Sequence, residues 1–335
     1  MHATLSDISK RTGFSTATVS RVMNGSPLVN EFTRRRVQRA VRDLGYTPSH
    51  SARALKLQRT SMLGVTLPKV AAGYFAEIVS GIDEVAAAKG FHLVTILTHG
   101  EADEQEMVLR VVRERRVDAL IVFNMRLADE VAKEAARREL PLALIGRAIK
   151  EVSSPTATVD NAVAAELAMT HLLSHGYRDV AVLAAPRDNR DSEERLAGCR
   201  KAMARAGEPL DRDRIWRGQF TEESGREAIE RWLDAGHRPP RAIFALNDDM
   251  ALGAMNALRA RGFRVPDDVA VLGFDDAPGA RYAGLSTVRV PMAELGRRAA
   301  RAALQQVLGG PREALEPVRG ELVMRTSCGC NQGEP

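Results

Sequence analysis

From residue 63 onward, short apolar runs alternate with longer amphipathic stretches. LGVTL (63–67) precedes a helical pattern at 75–89, FHLVTIL (91–97) one near 103–115, and DALIVF (118–123) one near 129–138, before LALI at 142–145. After SSPTATVD (153–160) the alternation restarts. Helix 161–175 leads to DVAVLAA (179–185), helix 192–206 follows, and AIFAL (242–246) leads to helix 249–261 and VAVLGF (269–274). Short apolar strands separated by amphipathic helices predict parallel sheets covered on both faces. Two such series predict two doubly wound lobes, with a ligand cleft at the carboxyl ends of the strands.

The first 46 residues carry a helical period only. Thr4-Leu5-Ser6-Asp7 resembles a capping box, opening a helix with Leu5 and Ile8 on one side. Gly13 ends that helix. Ser15 can cap the next one, whose Val19, Val22 and Met23 form the buried stripe before Asn24-Gly25. A third helix runs from about Glu31 to Leu44. Its Val37, Val41 and Leu44 face inward and Arg34, Arg35, Arg36, Arg39 and Arg42 largely outward, and Gly45 closes it. Two short helices joined by a glycine-containing turn and braced by a third make a helix-turn-helix.

Charge changes the picture. Residues 1–60 hold eleven Lys/Arg against three Asp/Glu, a net of +8; the whole chain is +5, so the remaining 275 residues sum to −3. A basic head on a near-neutral body is the electrostatic footprint of a nucleic-acid binder. The second helix of such a unit enters the major groove N-terminus first. Thr16 and Ala17 would meet base edges and thymine methyls, Arg21 guanine or phosphate, and Ser15 and Ser20 phosphates. Thr4, Thr18 and Asn24 complete the candidate contacts of the head.

Composition bounds the rest. A chain of 335 residues suits two or three domains, and 44% hydrophobic residues can fill real cores. No apolar run approaches the roughly 18 residues of a membrane span, and MHATLSDISK has no secretory h-region. Three cysteines, at 199, 328 and 330, make no disulfide framework. The expectation is a soluble cytoplasmic protein, nucleoid-associated when on DNA, with no cofactor and no metal.

The order and spacing of TLSDISKRTGFSTATVSRVMNG, RRRVQRAVRDLGYTPSHSARALK, ALNDDMALGAMNAL and VAVLGFDDAP resemble the lactose-repressor (LacI/GalR) family from residue 3 to about 327. The resemblance implies a transcription regulator, a repressor of carbohydrate-related genes. It would act as a homodimer on near-palindromic double-stranded operator DNA, controlled by a small-molecule effector. It implies a helix-turn-helix domain over 1–47, a hinge over 48–60, a periplasmic-binding-protein-like body over 61–328 and a tail over 329–335. The N-lobe would be about 61–158 plus 291–318, and the C-lobe 159–288 plus 319–328. In the hinge, Ser49 caps a helix too short to persist alone. Leu55 would be a wedge in the minor groove, Ala52 would allow close approach of paired hinges, and Lys56 or Arg53 would meet phosphate.

The same resemblance places cleft residues. Arg195 in ERLAG would clamp ligand oxygens, Asn247 would offer a donor and an acceptor, and Asp275 in GFDDAP would accept from neighbouring hydroxyls. Phe220 would stack on a sugar ring, Tyr74 or Phe75 would line the opposite lobe, and Asn124 would end a strand facing the cleft. One departure stands out: many members carry IDR where this chain reads LIGRA, with Gly146 before Arg147. Arg147 is then either a surface ion-pair residue or, with Arg195, half of an anion clamp for a sugar acid or sugar phosphate.

Other chemistry finds little support. His171 and His175 stand at i, i+4 but lack an HExxH carboxylate and a third ligand, and the CGC run at 328–330 reads as a reduced, adventitiously reactive pair. There is no GxxxxGK[ST] loop, GxSxG elbow or nucleophilic triad. A solute-binding protein would lack the basic head and need an export signal. An enzyme would need a catalytic constellation in the cleft.

Overall fold

The computed structural model describes residues 3–46, 59–67, 73–98, 101–124, 129–149, 152–312 and 314–330. The chain divides into two compact units, Met1–Thr60 and Ser61–Pro335.

The first unit holds α1 (Leu5–Thr12), α2 (Thr16–Met23) and α3 (Glu31–Asp43). Each start is fixed by a side-chain cap: Thr4 with Asp7 in a reciprocal capping box, Ser15 accepting from the Thr18 amide, and Asn30 accepting from the Thr33 amide. The turn between α1 and α2 begins at Gly13, at φ +78°. It is tied down by Ser9 Oγ donating to the Phe14 carbonyl (2.6 Å) and Thr12 Oγ1 donating to that of Ile8 (2.7 Å). Ile8, Val19, Val22, Val37 and Ala40 are buried together, with Leu5, Phe14 and Leu44 at the margin. Arg34 departs from the outward-facing expectation. It is half-buried, and its Nη2 donates to the carbonyls of Ser26 (2.8 Å) and Val29 (3.4 Å), so it fastens the α2–α3 loop.

In the second unit, the described strands make a five-stranded parallel sheet, a four-stranded parallel sheet and a two-stranded antiparallel ribbon. The first sheet has the order β2 (His92–Leu97), β1 (Met62–Leu67), β3 (Ala119–Asn124), β4 (Leu142–Gly146), β5 (Thr156–Ala157). Its helices are α4 (Gly73–Ala88), α5 (Glu101–Glu114) and α6 (Asp129–Arg137). The second sheet has the order β7 (Ile215–Arg217), β6 (Val180–Ala184), β8 (Ala242–Ala245), β9 (Ala270–Leu272). Around it lie α7 (Asn161–Ser174), α8 (Arg190–Arg205), α9 (Glu222–Asp234), α10 (Asp248–Ala260) and the short α11 (Pro278–Ala283). β10 (Thr287–Arg289) pairs with β11 (Glu321–Val323), and between them α12 (Met292–Val307) returns to pack on α4, β3 and β4 of the first sheet. Isolated pairings join Asp275 to Arg289 and Val159 to Val318 where the chain passes from one sheet region to the other.

The sequence pattern did not announce β7, α9, α11 or α12. β7 is three half-buried residues, α9 is rich in Arg and Glu, and the buried face of α12 is mostly Ala and Gly, so none presents a long apolar run. β9 stops at Leu272, short of the apolar run ending at Phe274, because Asp275 (φ +113°) and Asp276 (φ +59°) bend the chain out of the sheet.

Glycines decide how closely three helix pairs approach. A Cβ at Gly81 of α4 would overlap the Ala293 carbonyl of α12, and one at Gly296 would overlap that of Ile78. Gly198 of α8 sits against the Ala162 carbonyl of α7, and Gly225 and Gly253 bring α9 and α10 together in the same reciprocal way. Every obstructing atom is backbone, so the helices themselves must separate to admit a methyl group. Gly253→Ala is therefore expected to destabilise the body by roughly 1–3 kcal/mol, lowering its melting temperature by about 2–4 °C for each. A thermal melt equal to wild type would show that α9 and α10 part freely.

Candidate DNA-contacting helix and effector cleft

On the head unit, the first turn of α2 presents Ser15, Thr16 and Ala17 exposed, with Arg21 exposed one turn on. Local capping leaves this surface free: Val19 and Val22 are buried, while Ser15 meets the Thr18 amide (3.1 Å) and hydroxyl (2.9 Å). Thr18 is thus half-buried and bound to Ser15, and Ser20 accepts from Asn24 Nδ2 (3.3 Å). Thr4 differs from its expected use. Its amide and hydroxyl both donate to Asp7 Oδ2 (2.9 and 2.7 Å), so its protons are committed to the α1 cap. Ser49, Ala52, Leu55 and Lys56 lie outside the described residues.

In the body, a cavity of about 310 Å³ is lined by residues from both sheet regions. Tyr74, Phe75, Arg195, Phe220, Asn247 and Asp275 all line it. Asn124 ends β3, and its side chain lies outside the described residues. Arg147 is half-buried, has a partner of its own and is not part of the lining. Gly146 is, at φ +98°. That left-handed turn at the end of β4 favours glycine, which is a physical reason why no carboxylate stands there.

Arg195 is the centre of the cleft. It is 6% exposed, its Nε donates to Asn161 Oδ1 (2.8 Å), and its Nη1 donates to the Leu246 carbonyl (2.6 Å) and faces Asp275 Oδ1 at 3.4 Å. Its guanidinium lies 3.8 Å over the Phe274 ring. Nη2 has no partner among the described residues, so the fork is held rigidly with one nitrogen left for a ligand.

Asn247 is less free than its type suggests. Its Oδ1 caps α10 at the Met250 amide (3.1 Å) and its Nδ2 donates to the Phe220 carbonyl (3.2 Å). That bond holds Phe220 at φ +58°, a conformation a bulky residue rarely adopts. On the other wall Phe123 meets Tyr74 and Phe75 edge to face, with centroids 5.9 and 5.2 Å apart, and the rings of Tyr74 and Phe75 lie tilted at 4.2 Å. Sequence reasoning missed Phe123, Asp191, Asp248, Asp249, Asn189 and Gln219, all in the lining. The acidic pair after Asn247 was the available signal. Asp248 is buried, accepting from Thr287 Oγ1 (2.6 Å) and the Ala277 amide (2.6 Å), and burial pushes its carboxyl well above the usual range. Burial also raises Asp275, to about 6, against the opposing pull of Arg195.

The histidines set aside for want of further ligands are met in space by the end of the chain. His171, His175, Cys328 and Cys330 gather with all four donor atoms within 4.8 Å of one another, which corrects the expectation that no third ligand exists.

Comparison with known proteins settles the family. A model of bacterial regulatory proteins of the lacI family matches residues 4–49, and one of a periplasmic binding protein-like domain matches residues 169–328. The HTH-type transcriptional regulator RegA of Clostridium saccharobutylicum is 32% identical over 333 residues, 98% of this chain and 99% of its own. The chain belongs to the lacI family of bacterial regulatory proteins. The Lac repressor dimer bound to operator and the anti-inducer ONPF matches this LacI-family chain with TM-score 0.86 and 27% identity, over 98% of this chain and 99% of that one. A transcriptional regulator CelR–cellobiose complex matches with TM-score 0.74 and 29% identity, over 97% and 100%. This LacI-family member is thus a DNA-binding transcription regulator with an effector-binding body.

Two outcomes follow from this geometry. Asp275 holds its proton more tightly folded than unfolded, so its contribution to stability is complete below about pH 4 and is lost as pH rises through about 6. Asp275→Asn should remove that loss, gaining up to about 3 kcal/mol on wild type between pH 4 and 7; thermal melts at both pH values measure it, and parallel curves would contradict the shift. Ala17→Asn should change the base preference within each half-site rather than weaken binding uniformly, as read by selection from random duplexes.

Proposed function

We propose that this regulator is a repressor of carbohydrate-related genes that acts in the cytoplasm by binding alone, without converting its effector. Two copies would read the halves of a near-palindromic operator through α2, with Thr16, Ala17 and Arg21 at the bases and Ser15 and Ser20 at phosphates. Leu55 of paired hinges would serve as the minor-groove wedge. The effector would favour one arrangement of the lobes over the other, with a coupling of about 1–3 kcal/mol.

The effector we infer is a neutral polyhydroxylated molecule of sugar type. The supporting observation is the charge of the cleft: among the described lining residues one guanidinium, Arg195, stands with the carboxyls of Asp191, Asp249 and Asp275, while Arg147 lies outside the lining. An acid or phosphate would meet more like charge than unlike there. Vicinal hydroxyls instead match carboxylates that accept and a guanidinium nitrogen that donates, with Phe220 and Tyr74 beside the ring faces. The CelR–cellobiose complex gives this reading independent support.

A thermal-shift panel of neutral sugars, sugar acids, sugar phosphates and nucleobases on the full chain tests it. A neutral sugar at 100 times its Kd should add about 2.7 kcal/mol, or roughly 2–4 °C for each kcal/mol, and Phe220→Ala should weaken it about tenfold or more. Stabilisation by an acid or phosphate alone would overturn the neutral assignment. Leu55→Ala should weaken operator binding and leave that sugar's affinity unchanged, as fluorescence anisotropy would show.

A further inference from the structure

The second cluster of chemistry-bearing side chains lies away from the cleft lining, at the C-terminal end of α7. His171, in its last turn, and His175, its cap residue, share one helix face at i, i+4. Cys328 and Cys330 come to them from the end of the chain. Cys328 Sγ lies 3.5 Å from His171 Nε2, and Cys330 Sγ lies 3.4 Å from His171 Nε2, 3.3 Å from His175 Nε2 and 3.2 Å from Cys328 Sγ. We propose that these four residues bind a single zinc ion in a tetrahedral Cys2His2 site.

The spacing carries the assignment. Zinc bonds of about 2.0–2.1 Å to nitrogen and 2.3 Å to sulfur set tetrahedral edges of about 3.3–3.8 Å. Three of the four nitrogen–sulfur separations, 3.3–3.5 Å, already fall in that range, the fourth is within 4.8 Å, and the two sulfurs need to part by only about half an ångström. A disulfide requires sulfurs at about 2.05 Å and would give the two convergent imidazoles no role. Two thiolates with two imidazoles select zinc over hard, oxygen-seeking cations.

The frame is built before any ion arrives. Ser327 Oγ donates to the Val271 carbonyl (2.6 Å) and accepts from the Ser286 amide (2.8 Å), fixing the backbone beside Cys328. Tyr177 Oη donates to the Cys328 carbonyl (3.3 Å) and its ring stacks on His175. Gly329 takes φ +89°, and a Cβ there would press on Tyr177 Oη, so the Cys-Gly-Cys turn needs its glycine. His175 is exposed, which gives an entry path, whereas Cys328 is buried.

The test uses the full chain, stripped with chelator and kept under reductant, titrated with cobalt(II) and then zinc. One equivalent of cobalt per chain should give the intense visible bands of a tetrahedral thiolate site, and zinc should displace it and raise the melting temperature. The double variant Cys330→Ser, His175→Gln, with both changes away from the buried thiol, should melt with the stripped wild type. It should also lose uptake by more than the roughly 10–100-fold that a lost supporting bond costs. No uptake under reductant, a weak octahedral cobalt spectrum, or uptake unchanged in the double variant would each overturn the site.

Discussion

The body depends on one buried cation. A guanidinium inside a protein is tolerated only where its protons are met, and the partners of Arg195 come from three places: Asn161 at the start of α7, Leu246 at the end of β8, and Asp275 beyond β9. Asn161 in turn donates to Asp191 and Glu194 of α8. The charge therefore fixes the mutual positions of two helix starts and two strand ends at the mouth of the second sheet. Those are the positions from which an α/β sheet presents groups to a ligand. Packing on the Phe274 ring covers one face of the guanidinium.

Around this centre the cleft is made of residues with structural commitments as well as binding surface. Asn247 caps a helix and restrains Phe220, Asp248 ties α10 to β10, and Phe75 is a core residue whose edge meets the cavity. Such a site is rigid by construction, which favours selectivity among similar ligands. Ligand-driven change is then concentrated in rearrangement of lobes rather than of single side chains.

Much of this was legible in the chain. The apolar runs and amphipathic stretches located thirteen of the strands and helices of the body to within a few residues, since buried parallel strands and amphipathic helices leave strong periodic signals. The caps Thr4 and Ser15 were readable because their chemistry is local. Three kinds of feature were not. The edge strand β7 and the alanine-rich α12 bury too little bulky apolar surface to mark themselves. Asp191 and Asp249 are polar residues in helix starts, where capping charge is common in any protein. The meeting of His171 with Cys328 spans 157 positions and depends on the register of β10 and β11, which spacing alone does not encode.

The left-handed turn at Gly146 has a consequence for how such a cleft diversifies. Because the backbone there sits at φ +98°, an acidic side chain at the end of β4 would have to carry the kind of backbone strain that Asp275, at φ +113°, carries beyond β9. Ligand preference on this wall is thereby biased by main-chain geometry. A lineage carrying this glycine would explore new effectors through the opposite wall, at Gln219, Phe220 and Asn189, where side chains can be exchanged one at a time.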